Sequence, residues 1–411
     1  MKKKITLIGD IMCEPLLLKA ARRADGSYQF DSVFQHMKAM FAEADFVIGN
    51  LETPLAGKDA GYTNELFSFN TPDAFADAVK AAGISFVSTA NNHCMDRGYE
   101  GLQRTLTVLD QKGIPHGGTF RTPAERSGAF YFTLEDQRFA VLPYTYGANF
   151  SMHGRQMTPE QEETVSFLHA YTQPIFVRQQ KKKPGLPKRA LNFLLRPLKR
   201  EHQAWVKKKL GMVYNTPRAD DYIDEAGAEP YLARMERDLK QAAEQADIVI
   251  FYPHTGGQFN LEPGKFTELV IGRALAAGCD AIIASHPHIV QKAESRNGVP
   301  CFYSVGNFSM SPNSVYLLHE HLPEYGLAVH LYAENGSVTE TSFSVLKIVE
   351  TKKQALTVYP VDEYDALLQD HAEKEKLLAD VRQICRTVTG CAEDEVSIRR
   401  EYPLSLGGRT I

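Results

Sequence analysis

ITLIGD, residues 5–10, is a short apolar run that stops at a carboxylate, Asp10, and the pattern recurs along the chain. FVIGNLE (46–52) ends in Asn50 and Glu52, and SFVSTANNH (85–93) in Asn91, Asn92 and His93. DIVIFYPH (247–254) ends in His254, AIIASHPH (281–288) in His286 and His288, and CFYSVGN (301–307) in Asn307. A parallel α/β sheet places ligands and catalysts just beyond the carboxyl ends of its strands. One polar strand end carries little information; a set rich in Asp, Glu, Asn and His describes one pocket. Oxygen and imidazole donors suit Zn, Mn or Fe rather than a Cys-only structural site.

Between these runs the periodicity is helical. In TPDAFADAVKAAG (71–83), Phe75, Val79 and Ala82 share a face, Thr71 is placed to cap, Pro72 suits the first helical position and Gly83 the end. GYEGLQRTLTVLDQKG (98–113) carries a Leu102, Leu106, Leu109 stripe closed by Gly113. EPYLARMERDLKQAAEQAD (229–247) carries Leu232, Met235, Leu239 and Ala242. RFAVLPYTY (138–146) reads as a strand, and PGKFTELVIGRALAAG (263–278) as a helix. Alternation of this kind predicts a layered α/β fold. YGLAVHLYAENG (325–336) and SVTETSFSVLKIVET (337–351) read as an antiparallel pair turning at Asn335-Gly336. Within the C-terminal extension, 351–411, DHAEKEKLLADVRQI (370–384) reads as a helix.

The pattern breaks at about 153–227, read as an insertion on the core. Lys and Arg dominate residues 178–209, where Glu201 is the single acid. Leu191, Leu194, Leu195, Leu198 and Trp205 interleave with those charges, as in an interfacial segment facing an anionic membrane; a solvated loop has the same composition. Overall the net charge is -4, which predicts no specific nucleic-acid binding. Six cysteines without framework spacing fit free thiols in a reducing compartment. The apolar stretch of MKKKITLIGD stops at Asp10, too short for a signal core or a span. The expectation is a cytoplasmic protein, with peripheral membrane attachment through 178–209 as the variant reading.

Each strand end has a structural and a chemical reading. Asp10 suits a helix cap or a cationic centre, and Glu52 likewise. Asn50 is placed to bond the turn or a substrate. The histidines of His286-Pro287-His288 serve one metal only if the backbone turns there; otherwise they flank two. Asn91 and Asn92 could satisfy loop backbone or supply an oxygen ligand. His93 is placed as a proton donor to a leaving group, with Asp96 close enough in sequence to orient it. His319 and His321 lack a strand leading into them, and Cys13 and Cys94 read as structural. There is no GxxxxGK[ST], GxSxG or strand-borne GxGxxG, which argues against several other enzyme classes.

Taken in order, Gly9-Asp10, GNLETPL (49–55), FSFNTP (67–72), ANNHCMDRG (90–98), HTGGQF (254–259), SHPHIVQ (285–291) and YSVGNF (303–308) resemble the CapA family of poly-γ-glutamate capsule synthesis proteins. That family is similar in fold to calcineurin-like metallophosphoesterases. The resemblance covers about residues 5–349 outside the basic insertion. It implies an α/β/β/α sandwich over residues 1–350 and a centre of two divalent ions. By analogy Asp10 and His288 would hold one ion and Asn92, His254 and His286 the other, with Glu52 bridging and His93 assisting the leaving group. Asn50, Asn91 and Asn307 would face an anionic substrate such as poly-γ-glutamate. Two departures stand out. The phosphoesterase pattern begins Asp-x-His, whereas Asp10 is followed by Ile11 and Met12, leaving the first site short of a ligand unless a residue such as Glu14 completes it. Many family members also carry an N-terminal membrane anchor, which this start does not resemble. The resemblance thus supports a metal-dependent hydrolase of phosphoester or related bonds, with a non-catalytic accessory protein binding a polyanion, a membrane surface or a synthase as the competing reading.

Overall fold

A computed structural model describes residues 1–64, 67–149, 157–170, 191, 193–195, 197–198, 206, 209–210, 220–221, 224–314, 317–350, 356–390 and 396–404. The basic stretch therefore lies outside the described residues except at 191, 193–195, 197–198, 206 and 209, and so do His153 and His202. None of the described helices is long and apolar enough to cross a membrane.

The strands are β1 (Lys3–Ile11), β2 (Phe46–Leu51), β3 (Phe86–Ser88), β4 (His116–Gly117), β5 (Phe130–Leu134), β6 (Gln137–Thr145), β7 (Ile248–His254), β8 (Ala281–Ile283), β9 (Ala293–Arg296), β10 (Val299–Phe302), β11 (Tyr325–Glu334), β12 (Ser337–Val349), β13 (Thr357–Pro360) and β14 (Tyr402–Leu404). They build two mixed sheets. One is eight-stranded in the order β13-β12-β11-β1-β2-β3-β4, with β14 also on β12; the other is six-stranded, β5-β6-β7-β8-β10-β9. β1 through β4 pair in parallel, as do β6, β7, β8 and β10, so the polar strand ends of each sheet gather along one edge.

Period-two alternation assigns each face. In β7, Ile248, Ile250 and Tyr252 enter the core shared with Ile5, Leu7 and Ile48 of the other sheet. The intervening Val249 and Phe251 pack with Leu232, Met235 and Leu239 of helix Glu225–Gln245 and Phe266 and Val270 of helix Lys265–Ala276. On the first sheet, Val47, Leu51 and Val87 face Phe75 and Val79 of helix Ala74–Ala81 and Val108 and Leu109 of helix Gly98–Gln111. The two sheets thus share one core, and each carries helices on its other face.

Two helix starts differ from expectation. Thr71 does not cap: its hydroxyl bonds Thr53 at 2.6 Å, and the helix begins at Ala74. The helix expected from Glu229 begins a turn earlier, at Glu225, where the Asp224 carboxylate accepts the Gly227 N–H. The hairpin does turn at Asn335 (φ 53) and Gly336 (φ 73), the left-handed pair a two-residue loop requires. The described residues of the C-terminal extension, 356–390 and 396–404, join the main body. β13 and β14 both pair with β12, and helix His371–Thr389 buries Val381, Ile384 and Val388 in the core between the sheets.

Where the sheets meet, backbone replaces side chain. The Asp10 N–H donates to Gly306 O at 3.3 Å and the Phe308 N–H to Asp10 O at 2.9 Å, so the segment after β10 runs beside the end of β1. A Cβ on Gly9 would stand 1.9 Å from Gly306 O, which explains the glycine before Asp10.

Candidate metal centre

Amide side chains tie the ends of β1, β2 and β3 together. The Asn50 amide donates to Asp10 Oδ1 at 2.8 Å and lies 3.1 Å from His254 Nδ1. Its oxygen accepts from Asn91 Nδ2 at 3.1 Å, and Asn91 Oδ1 accepts the His93 N–H at 3.1 Å. Asn50 and Asn91, expected to face substrate, thus direct these bonds into the protein. Glu52 follows β2 and is held beside β1 by its N–H on Ile11 O at 3.0 Å.

From the other sheet come the histidines. His254 Nε2 stands 2.8 Å from Asn92 Oδ1, 3.1 Å from His286 Nδ1 and 3.3 Å from Glu52 Oε1. The backbone does turn at the paired histidines: His286 has φ 111 and His288 φ 59. Even so, the two rings diverge. His286 gathers with Glu52 and His254, while His288 gathers with Asp10 and Glu52. His288 Nδ1 lies 2.9 Å from Asn307 Oδ1 and 3.4 Å from Asp10 Oδ2, and its Nε2 lies 4.0 Å from Glu52 Oε1. Asn307, the third expected substrate contact, also donates to His288 O at 2.9 Å and Pro323 O at 3.0 Å, which fixes it as a brace for His288.

All of these side chains are buried. Glu52 is the unusual one: among the described residues neither of its carboxylate oxygens receives a hydrogen bond. A buried carboxylate left uncompensated costs several kcal/mol. Two convergent donor groups that share Glu52 fit divalent metal, which would offset that charge. Burial would raise the Asp10 pKa, but His254 and His288 hold it well below the usual carboxylate range. Burial would lower His254, yet Glu52 and Asp10 lift it to about 9. His288 is raised against its burial by Glu52 and Asp10, whereas burial and the neighbouring imidazoles push His286 well down. A bound metal ion would take the place of protons on these imidazoles, because its ligands must be deprotonated.

His93 sits at the rim of this group, its Nε2 3.9 Å from Glu52 Oε1. Its Nδ1 lies 2.6 Å from Asp96 Oδ2, so the structure pairs the two residues that the sequence placed in one loop. Three neighbours carried no expectation. The Phe69 ring packs on His93 at 4.2 Å, Asn149 Nδ2 lies 3.5 Å from His93 Nε2, and the Tyr146 ring lies 4.5 Å from that of His286. Burial, then Glu52, raises the Tyr146 phenol pKa. A signal existed for Tyr146, which ends the strand-like run RFAVLPYTY, and for Phe69 in FSFNTP; Asn149 has none.

Other candidates fall away from the centre. The Glu14 carboxylate accepts from Ser311 N and Ser314 Oγ, so it is committed to that loop rather than to the first site. Met12 is buried with Phe69, Phe259, Ile289, Met310 and Leu317. His321 Nδ1 lies 2.9 Å from Phe259 O, and His319 is exposed beside Glu324. Cys13 and Cys94 are buried, and burial pushes the Cys94 thiol up to about 12.

Comparison with known proteins places this geometry in context. Residues 4–311 match the family model described as Bacterial capsule synthesis protein PGA_cap. The chain is 26% identical over 292 residues to the uncharacterized protein y4sH of Sinorhizobium fredii (strain NBRC 101917 / NGR234), covering 67% of this chain and 61% of that protein. It is 22% identical over 336 residues to the capsule biosynthesis protein CapA of Bacillus anthracis, covering 80% and 66%. It is 23% identical over 305 residues to the PGA biosynthesis protein CapA of Bacillus subtilis (strain 168), covering 74% and 62%. The chain spans 61% of the length of the first of these relatives.

Proposed function

The chain belongs to the bacterial capsule synthesis protein family PGA_cap, and from that membership we propose that it serves capsule or poly-γ-glutamate metabolism as a metal-dependent hydrolase of phosphoester or related bonds. The two sheets with helices on their outer faces are compatible with the α/β/β/α sandwich of metallophosphoesterases. The observation that carries the reading is Glu52, a buried carboxylate whose oxygens receive no hydrogen bond among the described residues, standing where two donor groups meet.

Asp10, Glu52 and His288 would hold one ion, and Glu52, Asn92, His254 and His286 the other. Divalent ions in such a pair supply Lewis acidity and a nucleophilic hydroxide at neutral pH. The chain's own residues do the rest. Asp96 accepts the His93 Nδ1–H and fixes the ring, so Nε2 presents or withdraws the proton beside Glu52. Asn149 borders that nitrogen, and Phe69 and Tyr146 wall the site against bulk water. The test is metal analysis of protein purified without chelator, combined with a panel of phosphomonoesters, phosphodiesters and related anionic substrates. Bound metal with metal-dependent turnover supports the proposal; metal-free protein, or turnover indifferent to chelation, overturns it.

One observation favours a second reading. Met12, at the position of the phosphoesterase histidine, is buried in an apolar cluster. A metal-stabilised accessory protein that binds a polyanion, a membrane surface or a synthase would tolerate that loss, and predicts bound metal without turnover on any of the panel.

A further inference from the structure

The metal centre proposed above has two dissimilar halves, and the inference rests on that reading. We infer that the half formed by Glu52, Asn92, His254 and His286 takes a borderline transition ion such as Zn(II) first and tightly, while the half formed by Asp10, Glu52 and His288 takes a harder ion such as Mn(II) second and weakly.

Donor chemistry separates them. The first half offers two imidazoles, an amide oxygen and the shared carboxylate; the second offers two carboxylates and one imidazole. Imidazole-rich sites suit Zn and its neighbours, whereas carboxylate-rich sites suit Mn and Mg. Preorganisation points the same way. In the first half three donors already surround His254 Nε2 at 2.8, 3.1 and 3.3 Å. Ligands bonded tetrahedrally at about 2.0–2.2 Å stand roughly 3.3–3.6 Å apart, so Glu52 Oε1 already stands at such a separation from His254 Nε2 and the other two donors lie just inside it. The second half is looser and partly committed. His288 Nε2 lies 4.0 Å from Glu52 Oε1, and Asp10 Oδ2 lies 3.4 Å from Nδ1 of that ring. Both Asp10 oxygens already accept hydrogen bonds, from Asn50 Nδ2 at 2.8 Å and from the His286 N–H at 3.2 Å. Among the described residues no fourth protein ligand arrives, because Met12 is packed with Phe69, Phe259, Ile289, Met310 and Leu317, and Glu14 is bonded to Ser311 and Ser314. Once an ion is in the first half, its charge repels a second dication across the shared carboxylate.

The test uses the full chain, stripped of metal with chelator, then given one equivalent of Zn(II) and an excess of Mn(II). Anomalous scattering at each absorption edge locates the ions, and calorimetry gives the affinities. The expected result is Zn at His254 and His286 and Mn at Asp10 and His288, with Mn binding at least about 100-fold weaker. Asp10→Asn should lose the Mn signal and hold Zn within about threefold, and His286→Ala should lose tight Zn binding. The wild-type map decides even if a variant fails to fold. Zn divided between both positions, Mn in the imidazole-rich half, or two ions of equal affinity would each overturn the inference and leave the metal reading standing. Binding of neither ion would overturn both.

Discussion

Asp96 Oδ2 lies 2.6 Å from His93 Nδ1 and takes the Phe69 amide N–H on the same oxygen, also at 2.6 Å. One carboxylate oxygen therefore sets both the ring of His93 and the loop whose aromatic side chain covers that ring. This arrangement distinguishes His93 from the other histidines of the centre, which face carboxylates or amides of the donor groups. Asp96→Asn should leave bound metal unchanged and lower the turnover number by about 10²–10⁴-fold, as loss of an oriented acid or base does. Metal analysis beside kinetics on an activated phosphoester checks it. Loss of metal in the variant would make the pair structural to the donor set.

Asn307 has the corresponding role for His288. Its oxygen faces Nδ1, leaving Nε2 for a metal. Asn307→Leu keeps the branched outline, though with a larger side chain, and removes that partner, and should weaken metal binding at the Asp10 half by about 10–100-fold. Competition with a fluorescent chelator reads the affinity, and thermal unfolding shows whether the fold survives. Unchanged affinity would return Asn307 to the role of a substrate contact.

A buried histidine away from the centre gives acid sensitivity. His330 Nδ1 lies 2.9 Å from Thr6 Oγ1 and Nε2 lies 3.0 Å from Ser344 Oγ. Ser344 donates to Arg400 O, so its hydroxyl accepts from His330 Nε2–H. Burial, then Lys4 and Arg400, against the opposing pull of Glu401, hold its pKa down to about 3. The unfolded chain protonates it near 6.5, so between those values the unfolded state binds more protons and stability falls as pH drops. His330→Gln should flatten the loss between pH 6.5 and 3, an effect on the order of a few kcal/mol. Urea unfolding across that range measures it, and a slope identical to wild type would rule it out.

The C-terminal helix should be inseparable from the sheets. Ile384 is buried in the core that both sheets share. Ile384→Ala should lower the unfolding free energy by about 2–5 kcal/mol with one cooperative transition. A separate early transition confined to the C-terminal segment would show instead that 351–411 is an appendage.

Residues 5–10 and the runs that repeat their pattern were legible because strand alternation is local and parallel strands end along one edge. Glu52, His254, His286 and His288 could be marked from that regularity, and so could the loop that carries His93 and Asp96. The inward turn of Asn50, Asn91 and Asn307 could not. An amide has donors and an acceptor, and only the neighbouring strand determines which groups meet them. Asn149 was invisible for a related reason: its link to His93 rests on a loop crossing after β6, and no periodicity marks such a crossing.

The sequence by itself determined the elements, the faces they bury and the residue types at the strand ends, because these depend on periods of two and 3.6 and on glycines such as Gly9 and Gly336. How the donors divide, which the family resemblance anticipated, is not encoded in any local pattern and is set by tertiary structure. His286 and His288 are two residues apart, yet backbone in the left-handed region sends them to different groups. Glu52 and His254 are distant in sequence, yet two sheets packed face to face bring Glu52 Oε1 within 3.3 Å of His254 Nε2. A covalent neighbour constrains only the next few dihedrals, whereas the packing of the two sheets fixes distances between strand ends that no local pattern encodes.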